Sequence, residues 1–190
     1  MGRVVPGLTA SRLRSFRFRG LNDPDVYFDE NIRRMVDNYR NVFSHTAASM
    51  ARFGQIDEAR DLLNDFMEAV PFETIPGDER SYLFMSEAFR AVNDLDTAVA
   101  LMKEAEPLVL HRLEMASRGS GSDRDMQLAA RFIELIRLSY LDASDFQAAA
   151  DFSQRIGALI GDTSYGQTAE EFEAMYRDAF GGAPDSVSGE

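Results

Sequence analysis

Cysteine is absent from this 190-residue chain, which removes both a disulfide framework and a thiolate metal site. That absence leaves the compartment open, because cytosolic and secreted chains alike can lack cysteine. No apolar run approaches the roughly 20 residues of a membrane-spanning helix. The first twenty residues carry arginines but no apolar core of signal-peptide length. Six prolines and no alternation of apolar and polar residues argue against a sheet protein. The two histidines, His45 and His111, have Ser49 and Met115 four residues on, so neither starts a helical metal pair. No serine sits in a nucleophile elbow and no glycine motif cradles phosphate. Asp94, Asp96 and Glu104 lack the central glycine of a calcium loop. Glu170 and Glu171 read as a solvated, favourably charged helix start, and no Asn-X-Ser/Thr acceptor occurs. The chain is therefore expected to hold no catalytic residue, metal ligand or cofactor.

Charge is abundant and uneven. Net charge is −12, from 32 acidic and 20 basic residues, and Lys103 is the one lysine among them. Such a lysine-poor, acidic surface suits a high-salt medium, where carboxylates stay hydrated and their repulsion is screened. A GC-rich genome exchanges lysine for arginine as well. A body this acidic argues against nucleic acid as a partner. Residues 1–20 run the other way: Arg3, Arg12, Arg14, Arg17 and Arg19 stand there without an acid. That arm suits anionic lipid or nucleic acid, or else pairs with the protein's own acidic surface or trails as disordered sequence.

Apolar residues make up 45% of the chain, enough for one domain with a sizeable core. Residues 1–24 read as a basic irregular arm and loop, with a turn at Pro6-Gly7. A helical domain is expected over 25–180 and a disordered tail over 181–190. Ile32, Met35, Val36, Tyr39, Val42, Phe43 and Thr46 recur at helical spacing, with Asp29 or Asn31 at the start and Gly54 at the end. Further helices are expected from Asp57 to Val70, Glu79 to Val92, and from near Asp94. Pro107 should kink that fourth helix or restart it around Glu106, at a cost of about 3 kcal/mol. A Gly/Ser loop follows, with Asp123 as the next cap. Helices over Arg124–Leu141, Asp145–Leu159 and Thr168–Phe180 complete the pattern, and Thr168 with Glu171 has capping-box spacing. Tyr39 should pack inward, while Asn38 and Arg40 pin the Gly20–Pro24 loop against the first long helix.

A helix-turn-helix pattern recurs three times. Phe43, Ala47, Met50, Gly54, Ala59, Leu63, Phe66 and Pro71 form the clearest copy. Tyr82, Met85, Phe89, Asn93, Ala98, Met102 and Ala105 form the second. Ile133, Ile136, Tyr140, Ser144, Ala149 and Ile156 form the third, without turn glycine or closing proline. The small Ala59, Ala98 and Ala149 let paired helices approach, and the bulky residues fill the remaining volume. The order resembles the tetratricopeptide repeat, although the offsets of 39 and 51 residues exceed the regular period of about 34. The resemblance implies an all-α, right-handed solenoid of about three helix pairs with a C-terminal capping helix, and binding of polypeptides in preference to chemistry. It also implies a groove lined by Asn41, Ser44 and Ala48, by Arg80, Leu83, Glu87 and Arg90, and by Arg131 and Glu134. The arginines would hold an acidic segment through paired hydrogen bonds, or simply offset neighbouring carboxylates.

The stretch from Phe18-Arg19-Gly20-Leu21-Asn22-Asp23-Pro24 through Tyr27-Phe28-Asp29-Glu30-Asn31 to Asn38-Tyr39-Arg40 carries a second resemblance. It is similar to the segment that follows the membrane-spanning part of bacterial protein O-mannosyltransferase-like proteins. That resemblance implies a non-catalytic, protein- or glycan-binding accessory tail on the extracytoplasmic face, attached to a membrane-embedded glycosyltransferase-like parent. The family's catalytic acids lie in loops with no counterpart here. The alternative is a free-standing soluble scaffold that assembles a cytoplasmic complex.

Overall fold

The computed structural model describes residues 6–119 and 121–180. Every regular element among them is helical: α1 (Pro6–Arg14), α2 (Glu30–Arg52), α3 (Ile56–Ala69), α4 (Glu79–Ala91), α5 (Leu95–Ser117), α6 (Asp123–Asp142), α7 (Phe146–Ile160) and α8 (Ala169–Phe180), with a single 3-10 turn at Thr163–Tyr165. The all-α expectation holds. The chain divides into two compact units, 1–105 and 106–190, with the boundary inside α5. The expected tail at 181–190 lies outside the described residues, as does Arg3 of the arm.

In the first unit α2 packs against α1, α3 and α4. Asp29 starts α2 by accepting a hydrogen bond from the Ile32 amide, which satisfies one of the orphan donors of the first turn. Val36, Phe43, Ala47 and Met50 form its buried face, at the three- and four-residue steps of an amphipathic helix. They meet Leu62, Leu63 and Phe66 of α3 and Tyr82, Met85 and Phe89 of α4, all buried. Phe43 and Phe66 stack with centroids 4.1 Å apart. In the second unit α7 packs on α6 and α8, around Phe132, Ile133, Ile136, Phe152, Ile156 and Phe172. The Thr168–Glu171 capping box starts α8: the Thr168 amide donates to the Glu171 carboxylate and the Glu171 amide to the Thr168 hydroxyl.

Among the described residues four helix ends close on a left-handed residue with the next amide reaching back five residues. The end of α7, at Gly161 with Asp162 bonded to the Gly157 carbonyl at 3.1 Å, has no alanine four residues further on, and the other three do. After α2, α4 and α6 the chain passes through a left-handed residue: Gly54 (φ +82), Asn93 (φ +60) and Ser144 (φ +57). In each case the next amide reaches back five residues, from Gln55 to Met50, Asp94 to Phe89 and Asp145 to Tyr140, at 2.9–3.0 Å. This is the six-to-one bond that closes a helix end. Four residues beyond each closing amide an alanine is fully buried: Ala59, Ala98 and Ala149. The repeat therefore holds at the level of backbone hydrogen bonding, even where the third copy has lost its glycine.

Several expectations are corrected. The arm is not irregular throughout, since Pro6–Arg14 is helical. Proline is tolerated in a first helical turn, and Ala10 and Leu13 bury themselves one turn apart. Pro107 neither ends nor restarts α5, which runs unbroken from Leu95 to Ser117. Proline removes the hydrogen bond to the Lys103 carbonyl, and burial of Leu101, Met102, Ala105, Val109 and Leu113 outweighs that loss. Ser122, not Asp123, caps α6, in a reciprocal box with Asp125. The α3 helix starts at Ile56 without a side-chain cap, so Asp57 is an acid in its first turn.

Candidate functional site

The most groove-like arrangement of the expected binding residues lies between α2 and α4, in the first unit. Ser44, His45, Ala48 and Arg52 from α2 face Phe84, Glu87, Ala88 and Ala91 from α4 across a recess of about 290 Å³. Positions 44, 48 and 52 lie one turn apart along a single helix face, as do 84, 88 and 91. The small side chains of Ser44, Ala48, Ala88 and Ala91 keep the floor low. The rings of His45 and Phe84, with centroids 5.4 Å apart, form one wall. Arg52 and Glu87 are exposed at the rim and make no ion pair with a described residue. The rim therefore offers one charge of each sign above a lining of mixed polar and apolar atoms.

Of the residues expected to line a groove, Ser44, Ala48 and Glu87 are brought together here. Asn41 is half-buried one turn before Ser44, whose hydroxyl donates to the Asn41 carbonyl at 2.9 Å. The Asn41 side-chain oxygen is buried without a hydrogen-bond partner among the described residues. Leu83 belongs to the core rather than the groove. Arg80 is exposed, and Arg90 is half-buried and already engaged. Arg131 and Glu134 are exposed on α6, in the other unit, where Glu134 pairs with Arg137 at 3.5 Å. His45, Arg52, Phe84, Ala88 and Ala91 were not foreseen. On α4 the groove-facing row sits one residue later than the analogy placed it, a rotation of about 100° around the helix. The burial of Leu83, flanked by the core residues Tyr82 and Met85, is the signal that fixes that rotation.

Arg40 is fully buried beside this region, and it does not hold the Gly20–Pro24 loop as expected. Its guanidinium donates to Asp37 Oδ1 at 3.1 Å and to the Ile75 carbonyl at 2.5 Å. It lies 3.8 Å from the centre of the Phe72 ring. Burial pushes this guanidinium below its ordinary range, and Asp37 opposes the shift. Ser81 Oγ also donates to Asp37, at 2.7 Å, so one carboxylate joins α2 to the start of α4. Gly77 is required in the clasp, because a Cβ there would lie 2.8 Å from Phe72 and 2.9 Å from Arg40. Tyr39 is the residue that receives the N-terminal segment, through edge contacts with Phe16 and Phe18.

Two further clusters are polar. In the first unit, burial and the charge of Glu104 push the Tyr82 phenol up to about 12. Burial and the neighbouring Glu73 raise Glu104 in turn, against a hydrogen bond from Tyr82. In the second unit the Tyr140 hydroxyl donates to one oxygen of the buried Glu106, and Arg155 donates to the other. Burial, then Glu106, raises Tyr140 well above the usual phenol range. Among the described residues no group of three or more histidine, aspartate or glutamate side chains is placed to hold a metal, and no helix is long and apolar enough to cross a membrane. No family model, curated protein or solved structure matches the chain.

Proposed function

We propose that this chain is a non-catalytic binding module, a right-handed tetratricopeptide-like solenoid of three helix pairs, α2–α3, α4–α5 and α6–α7, closed by α8. The observation that carries the reading is the threefold turn: a left-handed residue, a six-to-one hydrogen bond, and a buried alanine four residues on. Repeated helix pairs expose one face of each first helix, and such faces bind extended polypeptides. The recess between α2 and α4 suits that use. Ser44, Ala48, Ala88 and Ala91 leave room for a small apolar side chain, while Arg52 and Glu87 orient the peptide's polar groups.

A screen of displayed random peptides against the full chain tests the reading, followed by affinity measurements on the selected peptides. Filling the recess with Ala48→Phe should weaken their binding about tenfold or more, equivalent to about 1.4 kcal/mol, with the melting temperature held. Selection of no peptide, or equal affinity for the filled variant, would remove the groove from the account.

The motif from Phe18 to Arg40 supports one setting for this module: an accessory tail on the extracytoplasmic face, attached to a membrane glycosyltransferase-like parent. There the groove would take a protein, or a protein's glycan. A reading frame that continues upstream into several apolar stretches of about 20 residues is the expected result. A stop codon and ribosome-binding site upstream would favour a cytoplasmic scaffold instead.

A further inference from the structure

Phe16-Arg17-Phe18-Arg19 follows α1 as a segment without regular structure, and its side chains divide by chemistry. Phe18 packs edge-on against Tyr39 and Phe66 and lies beside Phe43; Phe16 meets Tyr39. Arg17 and Arg19, the intervening residues, are exposed. Neither they nor Arg12 makes an ion pair or side-chain hydrogen bond with a described residue, and Arg14 donates to the Glu58 backbone carbonyl at 2.9 Å. Arg12, Arg17 and Arg19 therefore form no ion pair with the described part of the acidic body. The amides of Arg17, Phe18 and Arg19 also make no backbone hydrogen bond to a described residue.

Recesses open on both sides of this segment. One, of about 400 Å³, is lined by Leu13, Phe43, Leu62, Phe66 and Ala69 together with the segment itself, with Arg14 and the carboxylate of Asp65 also on its wall. The other, of about 350 Å³, lies between the segment and Leu21, Met35 and Tyr39. Phe16 and Met35 are 43% and 47% exposed there, so apolar surface remains open beside two unpaired guanidiniums.

We propose that this surface binds an acidic peptide segment carrying apolar side chains, at a site separate from the α2–α4 recess. Carboxylates pair with Arg17 and Arg19, whose planar forks each donate two parallel hydrogen bonds to a carboxylate. Apolar side chains enter the flanking recesses, and the free amides at 17–19 bond the peptide backbone. Concavity favours a peptide over a membrane surface, since a lipid-binding face needs apolar groups that protrude.

Fluorescence anisotropy on the full chain, with a labelled peptide of alternating glutamate and leucine, tests the proposal. The peptide should bind, weaken steeply with added salt, and bind about tenfold or more better than its glutamine–leucine counterpart. Arg17→Gln with Arg19→Gln should cost at least about tenfold, and Met35→Asp should weaken binding as well. These side chains are exposed enough for the melting temperature to hold. Equal binding by the double variant, or no binding by the wild type, overturns the proposal. So does binding to phosphatidylserine vesicles without binding to the peptide. Loss in Ala48→Phe of the same size would place the peptide in the α2–α4 recess and overturn it too.

Discussion

Both units bury a charged side chain, and they offset its desolvation in different ways. In the first, Arg40 is wholly enclosed and joins α2 to the 71–78 loop through the Ile75 carbonyl, with Phe72 across its face. In the second, Glu106 is enclosed but its cation is not, for the Arg155 side chain is half exposed. A guanidinium with no route to solvent must keep every partner, so losing one is costly. A carboxylate bridged by a surface arginine and a phenol retains a partner when either is lost. The first clasp should therefore behave as a rigid tie and the second as a tolerant one.

Arg40→Leu is expected to have the largest effect, about 3–5 kcal/mol by urea unfolding, because Asp37 and the Ile75 carbonyl lose a shared donor. A loss under about 1 kcal/mol would erase the distinction between the two clasps. Tyr140→Phe should cost less, about 1–2 kcal/mol near neutral pH. That substitution also carries a pH signature. Tyr82, pushed up to about 12, and Tyr140, raised further, both hold their protons more tightly folded than unfolded. Their contribution is complete below the ordinary phenol value near 10 and is lost as pH rises through the folded values. Alkaline denaturation should accordingly become shallower in Tyr140→Phe, and more so when Tyr82→Phe is added.

The turns of the two units differ on a smaller scale. Ser144 holds a left-handed conformation at a cost that glycine avoids, so Ser144→Gly should stabilise by about 0.5–1 kcal/mol. Gly54→Ala should destabilise by about 1 kcal/mol. Thermal melts of the two variants, shifting in opposite directions, would establish that the turns are equivalent. Glu104→Gln gives the smallest effect. Glu104 binds its proton more readily folded than unfolded, so it disfavours the folded state at neutral pH. The variant should melt slightly higher at pH 7, and the gain should vanish as pH falls below about 4.5.

What was legible in the sequence was local. Asp29 as a cap, Thr168 with Glu171, the left-handed Asn93 and the buried alanines all depend on residues within a few positions of each other. The left-handed Ser144 was hidden by its residue type, but its place in the repeat marked it. The α4 face was read one residue early because analogy, rather than the burial of Leu83, set the rotation. Asp37 stands at helical spacing from Arg40, but the Ile75 carbonyl lies 35 residues further on and could not be read from spacing. The helix in the arm was hidden behind Pro6-Gly7, a pair that also fits a helix start. The α5 helix crosses Pro107 because burial on both sides outweighs one lost hydrogen bond.

Methyl NMR of alanine-labelled protein decides whether the α2–α4 recess holds a peptide. Titration with a display-selected peptide should move the signals of Ala48, Ala88 and Ala91, while the enclosed Ala149 of the other unit stays in place. Saturable binding that leaves those three methyls unmoved would contradict the account.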